Sequence, residues 1–357
     1  MKASIRETTT NEGAQGSIGR ASMGIIVLSL LGALIAAILA SLAIGAVRVP
    51  LHAILGAAFL HRALSQEQHT ILFGIRLPRV LAAALVGAAL SVAGLLFQGL
   101  FRNPLADPYV IGSSGGAVLG ASVGMFLLPQ LSVFGFSATA LLAFAGSLVT
   151  IVLVYRLARV GGRTSVITLL LAGFAVSIML SYSSYFLEVL DTDYGLGLRV
   201  LASWLRGVIG IPQWQQLAVI AVMFLIGLAF CFPIARRLNT LALGEEYAQQ
   251  LGLNVESAHI GIIAVGSLLT AAAVALGGLI SFVGLIVPHF ARMVMGPDHV
   301  RLLPVTAIAG AIFLVVTDTL ARTILAPSEI PVGVLMAFIG GPFFLYLLRH
   351  TRKEYAL

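Results

Sequence analysis

Residues 76–116 read RLPRVLAAALVGAALSVAGLLFQGLFRNPLADPYVIGSSGG, and their pattern is the most informative in the chain. Two arginines, Arg76 and Arg79, come before 22 uncharged residues at 80–101. A bilayer core of roughly 30 Å requires about 20 apolar residues in a helix, whereas a soluble core helix does not need so long a run. A turn with two prolines follows, and a glycine-serine run then opens another apolar span. The stretch therefore predicts a membrane helix followed by a specialised turn.

The composition of the whole chain favours the same class of protein. Of the 357 residues, 59% are hydrophobic and only 10% are charged, against about 25% charged in soluble domains. The net charge of +7 comes from cations at the ends of apolar runs, which fits membrane topology better than a nucleic-acid partner. Cys231 is the single cysteine, so neither a disulfide framework nor a thiolate metal site is available.

Ten uncharged or nearly uncharged runs follow one another along the chain and predict an all-α integral membrane protein with about ten transmembrane helices. The eighth run is short and contains Pro288, so we expect it to be tilted, kinked or completed by turns buried in protein. Residues 1–20 are polar and predict a flexible cytoplasmic tail, and residues 21–357 a single transmembrane domain. The ten runs are 24–46, 80–101, 109–128, 134–155, 166–187, 214–235, 257–276, 279–291, 302–321 and 331–348.

The positions of the cations predict the orientation. With a cytoplasmic amino terminus, 14 of the 21 Lys and Arg residues fall on the inner side of the membrane. Short cytoplasmic segments are enriched in Lys and Arg, and the number of spans is even. Both observations predict that the two termini are cytoplasmic.

Three connections are long enough to contain helices of their own. An interfacial helix is expected in the outer segment 48–75, and a short helix on the outer membrane surface in 188–213, with Trp204 and Trp214 at the headgroup level. The cytoplasmic segment 238–256 contains GEEYAQQLG, which predicts a short helix outside the bilayer. Its residues Leu243, Tyr247 and Leu251 share one face. That face needs a covering surface, which is either this protein's own bundle or a partner.

Catalytic motifs are missing from the sequence. It has no Walker A loop, no His-Glu-x-x-His pattern and no serine elbow. The glycine run at 111–116 opens a membrane span and lacks a following lysine, so it favours close helix packing over phosphate binding. The seven histidines show no tight ligand spacing. We therefore predict no catalytic residue, no metal site and no cofactor, and any energy for transport has to come from another chain.

Two features of the apolar spans leave alternatives open. Asp318 and Arg322 lie four residues apart near an outer span end. Either they form a local ion pair, or Arg322 belongs to an outer cation cluster with Arg76 and Arg79. On the fifth span, small and hydroxyl residues line one helix face, either for close packing or along a cargo pathway. These residues are Gly173, Ser177, Ser181 and Ser184.

Five motifs in order give the chain a resemblance to the FecCD-type permeases, the membrane subunits of ABC importers for ferric siderophores, haem and cobalamin. The likeness covers nearly everything from the first span to Leu348. The motifs are RLPR at 76–79, RNPLADPYVIGSSGGA at 102–117, LALGEEYAQQLGLNV at 241–255, GGLISFVGLIVPHFAR at 277–292, and DTLAR at 318–322 with the later PVG at 331–333.

The resemblance implies a type II ABC importer permease in the bacterial inner membrane. Such a subunit works as a homodimer with the pathway at the dimer interface, together with two cytoplasmic ATPase subunits, which bind the ATP, and a periplasmic binding protein. Among the cargoes, haem is favoured because its carboxylates suit an outer arginine cluster, with ferric siderophore and cobalamin left open. The alternative is an ion-gradient-driven secondary transporter, which needs paired intramembrane carboxylates, and only Asp318 comes close.

The resemblance also assigns candidate site residues. Arg76, Arg79 and Arg322 match the outer arginines that dock the binding protein. The contact with the ATPase falls on the coupling segment, residues 238–256, and the gate on the connection before the fifth span, whose face continues into the pathway. The coupling residues are Leu243, Gly244, Glu245, Ala248, Leu251 and Gly252, and the gate and pathway residues are Ser165, Val166, Ile167, Gly173, Ser177 and Ser181.

Overall fold

The computed structural model describes residues 20–45, 47, 49–60, 64–160, 163–190 and 196–351. The predicted tail lies outside these residues except for Arg20, where the first helix begins. The helices are α1 Arg20–Ala43, α2 Leu51–Leu60, α3 Gln66–His69, α4 Leu77–Phe101, α5 Ser113–Leu127, α6 Ala138–Ala158, α7 Val166–Leu190, α8 Leu196–Leu205, α9 Trp214–Leu241, α10 Glu245–Gln250, α11 Val255–Gly277, α12 Val283–Met295, α13 His299–Thr323 and α14 Val332–Thr351.

A π-helical turn, Thr70–Arg76, joins α3 to α4 without a break. Two short antiparallel hairpins complete the described secondary structure. One consists of β1 Ser132–Val133 and β2 Phe136–Ser137, before α6. The other consists of β3 Arg159–Val160 and β4 Arg163–Thr164, between α6 and α7.

The predicted membrane spans are confirmed as helices. Eight described helices are long and apolar enough to cross a membrane, and α5 and α12 are shorter apolar helices of 15 and 13 residues. The sequence predicted only one short span. The third is also short, because its helix begins at Ser113 and the residues before it form turns.

Helix α4 forms the centre of the bundle and α1 its edge. We compare the most apolar stretch of 18 residues in each span. In the span that contains α4, 83% of these residues are buried, and in α1 only 11% are. Small residues allow the close approach around α4. A Cβ atom on Gly94 would overlap the backbone of Gly284 in α12, and one on Gly87 would overlap Gly310 in α13. Such small-residue contacts are typical of helix packing in membranes.

Non-helical backbone lies inside the bundle. The loop between α11 and α12 leads to Phe282, which has a left-handed φ of 70°, and to Gly284, which contacts α4 at Gly94. Gly94 lies seven residues before the end of α4, so this contact is roughly 10 Å inside the bundle. Backbone of this kind is tolerated at membrane depth only where protein surrounds it.

The Asp107 carboxylate stabilises this loop. Its two oxygens accept hydrogen bonds from the backbone amides of Tyr109 at 2.9 Å and Phe282 at 3.3 Å. The side chain of Gln98 donates to the carbonyls of Gly284 and Leu285 at 3.2 and 3.1 Å. Side chains of the α4 end and the α4–α5 turn therefore satisfy backbone groups at the start of α12.

The short connecting helices appear at the predicted places. Trp204, near the end of α8, is half-buried and packs in a cluster with Leu201, Val274 and Ala117 of the bundle. Its position at the headgroup level stays a prediction. Trp214, at the start of α9, is half-exposed.

Candidate functional site

Two arginines enclose a buried carboxylate near the predicted outer ends of α4 and α13. Asp318 is 0% exposed. Arg79 approaches one of its oxygens at 3.1 Å, and Arg322 approaches the other at 2.9 Å. Arg79 also bonds Glu329 at 2.8 Å, and Arg322 donates to Ser41 of α1 at 2.8 Å. We call Arg79, Asp318, Arg322 and Glu329 the outer ionic cluster. The i, i+4 pair expected from the sequence exists, but as part of a buried network that joins distant helices.

Arg76 lies beside this cluster and binds backbone. Its guanidinium donates to the carbonyl of Leu42 at 2.6 Å and to that of Val47. Arg76 therefore satisfies the Leu42 carbonyl at the carboxyl end of α1, where a helix leaves such groups without intrahelical partners, and a carbonyl of the segment that follows α1.

The three outer arginines are between 5% and 8% exposed. Their guanidiniums are engaged within the chain, so little of their surface faces solvent. Direct contact with a binding protein stays a prediction for Arg76, Arg79 and Arg322, and their observed role is to connect the ends of α1, α4 and α13. Asp318, the carboxylate considered for ion coupling, is neutralised by two cations.

The coupling segment turns sharply at two glycines. Gly244 and Gly252, with φ of 118° and 83°, flank α10 in conformations that L side chains rarely adopt. The side chain of Ala248, on the inner face of α10, is fully buried. Glu245 contacts His259 of α11 at 3.8 Å. The two glycines and Ala248 therefore set the position of α10 against the bundle.

The opposite face of α10 is uncovered. Leu243, Tyr247 and Leu251 are 64%, 65% and 68% exposed. Only Tyr247 belongs to α10, which has six residues, while Leu243 precedes the helix and Leu251 follows it. The three therefore lie on one side of the coupling segment, and not along one helix as the sequence predicted. With Gln250 they line a shallow depression of about 330 Å³. The sequence left open whether the bundle or a partner covers this face, and the described part of the chain does not cover it.

The predicted gate residues lie at the junction of β4 and α7. Ser165 precedes α7 and its hydroxyl accepts a hydrogen bond from the Thr168 amide at 3.4 Å. Val166 and Ile167 form the first turn of the helix, and Ile167 is 71% exposed. The gate prediction therefore falls on a short connection with an exposed apolar end.

The small-residue face of α7 packs against α5. A Cβ atom on Gly173 would meet the backbone of Val110 and Ile111, and one on Gly115 would meet Ser177. Ser181 is half-buried on the same side. Of the two alternatives for this face, close helix packing is therefore what the structure shows at Gly173 and Ser177. The face of α7 that no described residue covers is the opposite one, with Phe174, Ile178, Tyr182, Tyr185 and Phe186 exposed.

Sequence reasoning missed three polar residues. Asp107 and Gln98 bind backbone that only the fold brings near them. Glu256 accepts hydrogen bonds from Tyr155 and Thr164 at the cytoplasmic end of α11. The available signal was a carboxylate or amide at the edge of an apolar span, where such a group is costly without partners.

Comparisons with known proteins agree with one another. The model of the FecCD transport family matches residues 33–350. The cobalamin import system permease of Halobacterium salinarum is 43% identical over 82% of this chain and 77% of its own length. The hemin transport system permease of Yersinia pestis is 41% identical, covering 80% of this chain and 84% of its own.

A solved structure of a metal-chelate-type ABC transporter in an inward-facing conformation matches with a TM-score of 0.76 and 32% identity. The match covers 92% of this chain and 99% of that chain. The bundle described above is therefore the fold of an ABC importer membrane subunit.

Proposed function

Since the chain belongs to the FecCD transport family, we propose that it imports a bulky iron chelate or cobalamin delivered by a separate binding protein. It is the membrane-spanning permease subunit of an ABC importer in the inner membrane, and ATP hydrolysis takes place on another subunit. The observation that carries the proposal is the uncovered face of α10. An apolar helix face on the cytoplasmic side, outside the longer spans, needs a protein partner.

That partner is the ATPase. Leu243, Tyr247 and Leu251 present apolar side chains on and beside a short helix whose position is set by Gly244 and Gly252. Apolar anchors on a short helical segment that enters a groove of the partner are a common mode of recognition. In this proposal, closure of the ATPase pair on ATP displaces α10 and the residues attached to it.

A second copy of the chain forms the pathway. The uncovered face of α7 has hydroxyl groups among its apolar residues, at Tyr182, Ser183 and Tyr185. Polar groups in a membrane span normally face protein or a water-filled cavity rather than lipid. We therefore place α7 of two copies around the pathway, with Ser165, Val166 and Ile167 at its cytoplasmic end.

The binding protein docks at the outer face. The outer ionic cluster connects α4, α13 and the segment before α14, so it fixes the helix ends that a docking protein meets. In this proposal Arg76, Arg79 and Arg322 act by holding this surface. Haem would be favoured if its carboxylates met free outer arginines. Because Arg76, Arg79 and Arg322 are engaged within the chain, we propose the wider class of bulky chelates as cargo.

Uptake by proteoliposomes tests the proposal. The permease is reconstituted with its cognate ATPase and binding protein, and the uptake of haem, cobalamin and a ferric siderophore is compared. We expect ATP-dependent uptake of one of the three, and none when the ATPase is omitted. Uptake that persists without the ATPase, and collapses when an ion gradient is removed, would contradict the proposal.

A further inference from the structure

Glu256 occupies a junction between the coupling segment and the start of α7. It is the second residue of α11, two residues after the Asn254 cap, and the last residue of the coupling segment. A carboxylate in the first turn of a helix is stabilised by the helix dipole. Its side chain is 25% exposed, so it lies at the edge of the bundle and faces its own neighbours.

The carboxylate of Glu256 binds groups from two other elements. It accepts a hydrogen bond from the Tyr155 hydroxyl of α6 at 2.5 Å. It also accepts from the Thr164 hydroxyl at 2.9 Å and from the Thr164 backbone amide at 3.3 Å. Arg159, the partner of Thr164 in the β3–β4 ladder, lies 3.8 Å away. One carboxylate therefore connects α11 to the end of α6 and to the residue before Ser165.

A cleft of about 370 Å³ connects this junction to α10. It is lined by Glu245, His259, Glu256 and Thr164, among others. On the α10 side, Glu245 approaches His259, three residues after Glu256 on α11. The chain of contacts therefore runs from α10 to α11 by Glu245 and His259, and from α11 to the gate connection by Glu256 and Thr164.

We infer that Glu256 is a positioning residue that transmits displacement of the coupling segment to the gate connection at the start of α7. This inference rests on the proposed function. Hydrogen bonds to an ionised carboxylate are shorter and about twice as strong as neutral ones. When α10 moves, the Thr164 end of β4 is therefore drawn with α11, and residues 165–167 follow because they are joined to it by the backbone.

The first test measures coupling. Glu256→Ala is reconstituted with the ATPase and the binding protein, and uptake per ATP hydrolysed is compared with wild type. We expect at least about a fivefold fall, the lower end of the usual range for coupling between two sites, with unchanged binding of the ATPase. Glu256→Gln, which keeps one acceptor oxygen, restores part of the ratio. Glu67→Ala, which removes an exposed carboxylate of α3 in the predicted outer segment before α4, should leave the ratio of uptake to hydrolysis unchanged.

The second test needs no transport. Amide hydrogen exchange is followed on the full-length permease in lipid nanodiscs, and we expect the Thr164 amide to exchange at least about tenfold faster in Glu256→Ala. If Glu256→Ala is not recovered folded, the smaller changes Tyr155→Phe and Thr164→Val replace it, with the same expected loss of uptake per ATP.

Two results would overturn the inference. One is an unchanged Thr164 exchange rate. The other is an unchanged ratio of uptake to hydrolysis, including a parallel fall of both rates, which is the signature of a merely structural role. A wild-type protein without ATP-dependent uptake would instead refute the proposed function. The exchange measurement then still decides whether Glu256 holds the gate connection.

Discussion

The Asp318 side chain is the group on which the outer face of the protein depends. Its carboxylate lies between Arg79 and Arg322 and is fully buried. In Asp318→Ala both guanidiniums lose this partner in the protein interior. Breaking a buried ion pair from one side costs about 3–5 kcal/mol. We expect a loss of this size in the free energy of unfolding, measured by chemical denaturation in detergent.

Glu329 supplies the matched control for this prediction. It pairs with the same Arg79, but its side chain is 49% exposed. Because exposed ion pairs contribute about 0–1 kcal/mol, Glu329→Ala should lower the stability by no more than that. Equal losses of unfolding free energy in Asp318→Ala and Glu329→Ala would show that burial does not determine how much each carboxylate of the cluster stabilises the protein.

Among the helices, the crossing of α4 and α12 depends on the absence of a side chain. A Cβ at Gly94 would overlap the backbone of Gly284, so Gly94→Ala forces the helices apart. Overpacking typically costs about 1–3 kcal/mol, which a shift of the thermal unfolding curve in detergent would show. In α1, Gly32 has no atom within 4 Å of the same position. There the alanine should be neutral or stabilising by up to about 1 kcal/mol.

The exposed apolar residues of the coupling segment should determine the affinity for the ATPase. Leu251→Asp together with Leu243→Asp places charges on the exposed face of α10. We expect affinity for the ATPase to fall about tenfold or more, with the stability of the free permease changed by less than about 0.5 kcal/mol. The assay is pull-down titration with the purified ATPase. Leu131→Asp, at an exposed position before β1, is the control, and unchanged binding in the double variant would contradict the coupling assignment.

Element positions could be predicted because hydropathy is a local signal. A run of about 20 apolar residues has few alternatives to a span, and two glycines around a helix-forming interior predicted α10. The interior loop before α12 could not be predicted. Its stability depends on Asp107, which is 175 residues from Phe282 in sequence.

The outer arginines also could be predicted only in part, because their positions are a local signal and their partners are distant in sequence. Their spacing from the apolar run predicted the correct place on the bundle, at the ends of α4 and α13. Their partners could not be predicted, since Arg79 and Asp318 are 239 residues apart. A motif indicates which residue types meet a helix end, and only the packing of helices decides whether a guanidinium faces solvent or a carboxylate.

In the assembled transporter, the two most exposed of the described spans should meet different surroundings. Both α1 and α7 are largely uncovered. In the most apolar 18 residues of each, only 11% and 17% of the residues are buried. The face of α1 is aliphatic, whereas that of α7 has hydroxyl groups at Tyr182 and Tyr185. We therefore expect lipid around α1 and a water-lined pathway beside α7.

Thiol labelling distinguishes the two environments. Cys231 is buried, so it is a silent background. In the assembled transporter, Tyr182→Cys should react at least about tenfold faster than Ile35→Cys with a charged thiol reagent, because only the ionised thiolate reacts and ionisation requires water. Both positions are exposed in the single chain. Equal rates would place α7 in lipid and remove the pathway assignment.

The bond from Asp107 to Phe282 also constrains how the protein is made. Its carboxylate leaves the ribosome 175 residues before the amide it binds, a delay of roughly 9–35 s at bacterial synthesis rates of about 5–20 residues per second. During this interval the first half of the chain cannot complete its interior, since a charged group is costly in lipid. Nascent chains arrested before residue 282 emerges should therefore expose the 103–112 turn to water-soluble labels, and chains extended past α12 should protect it.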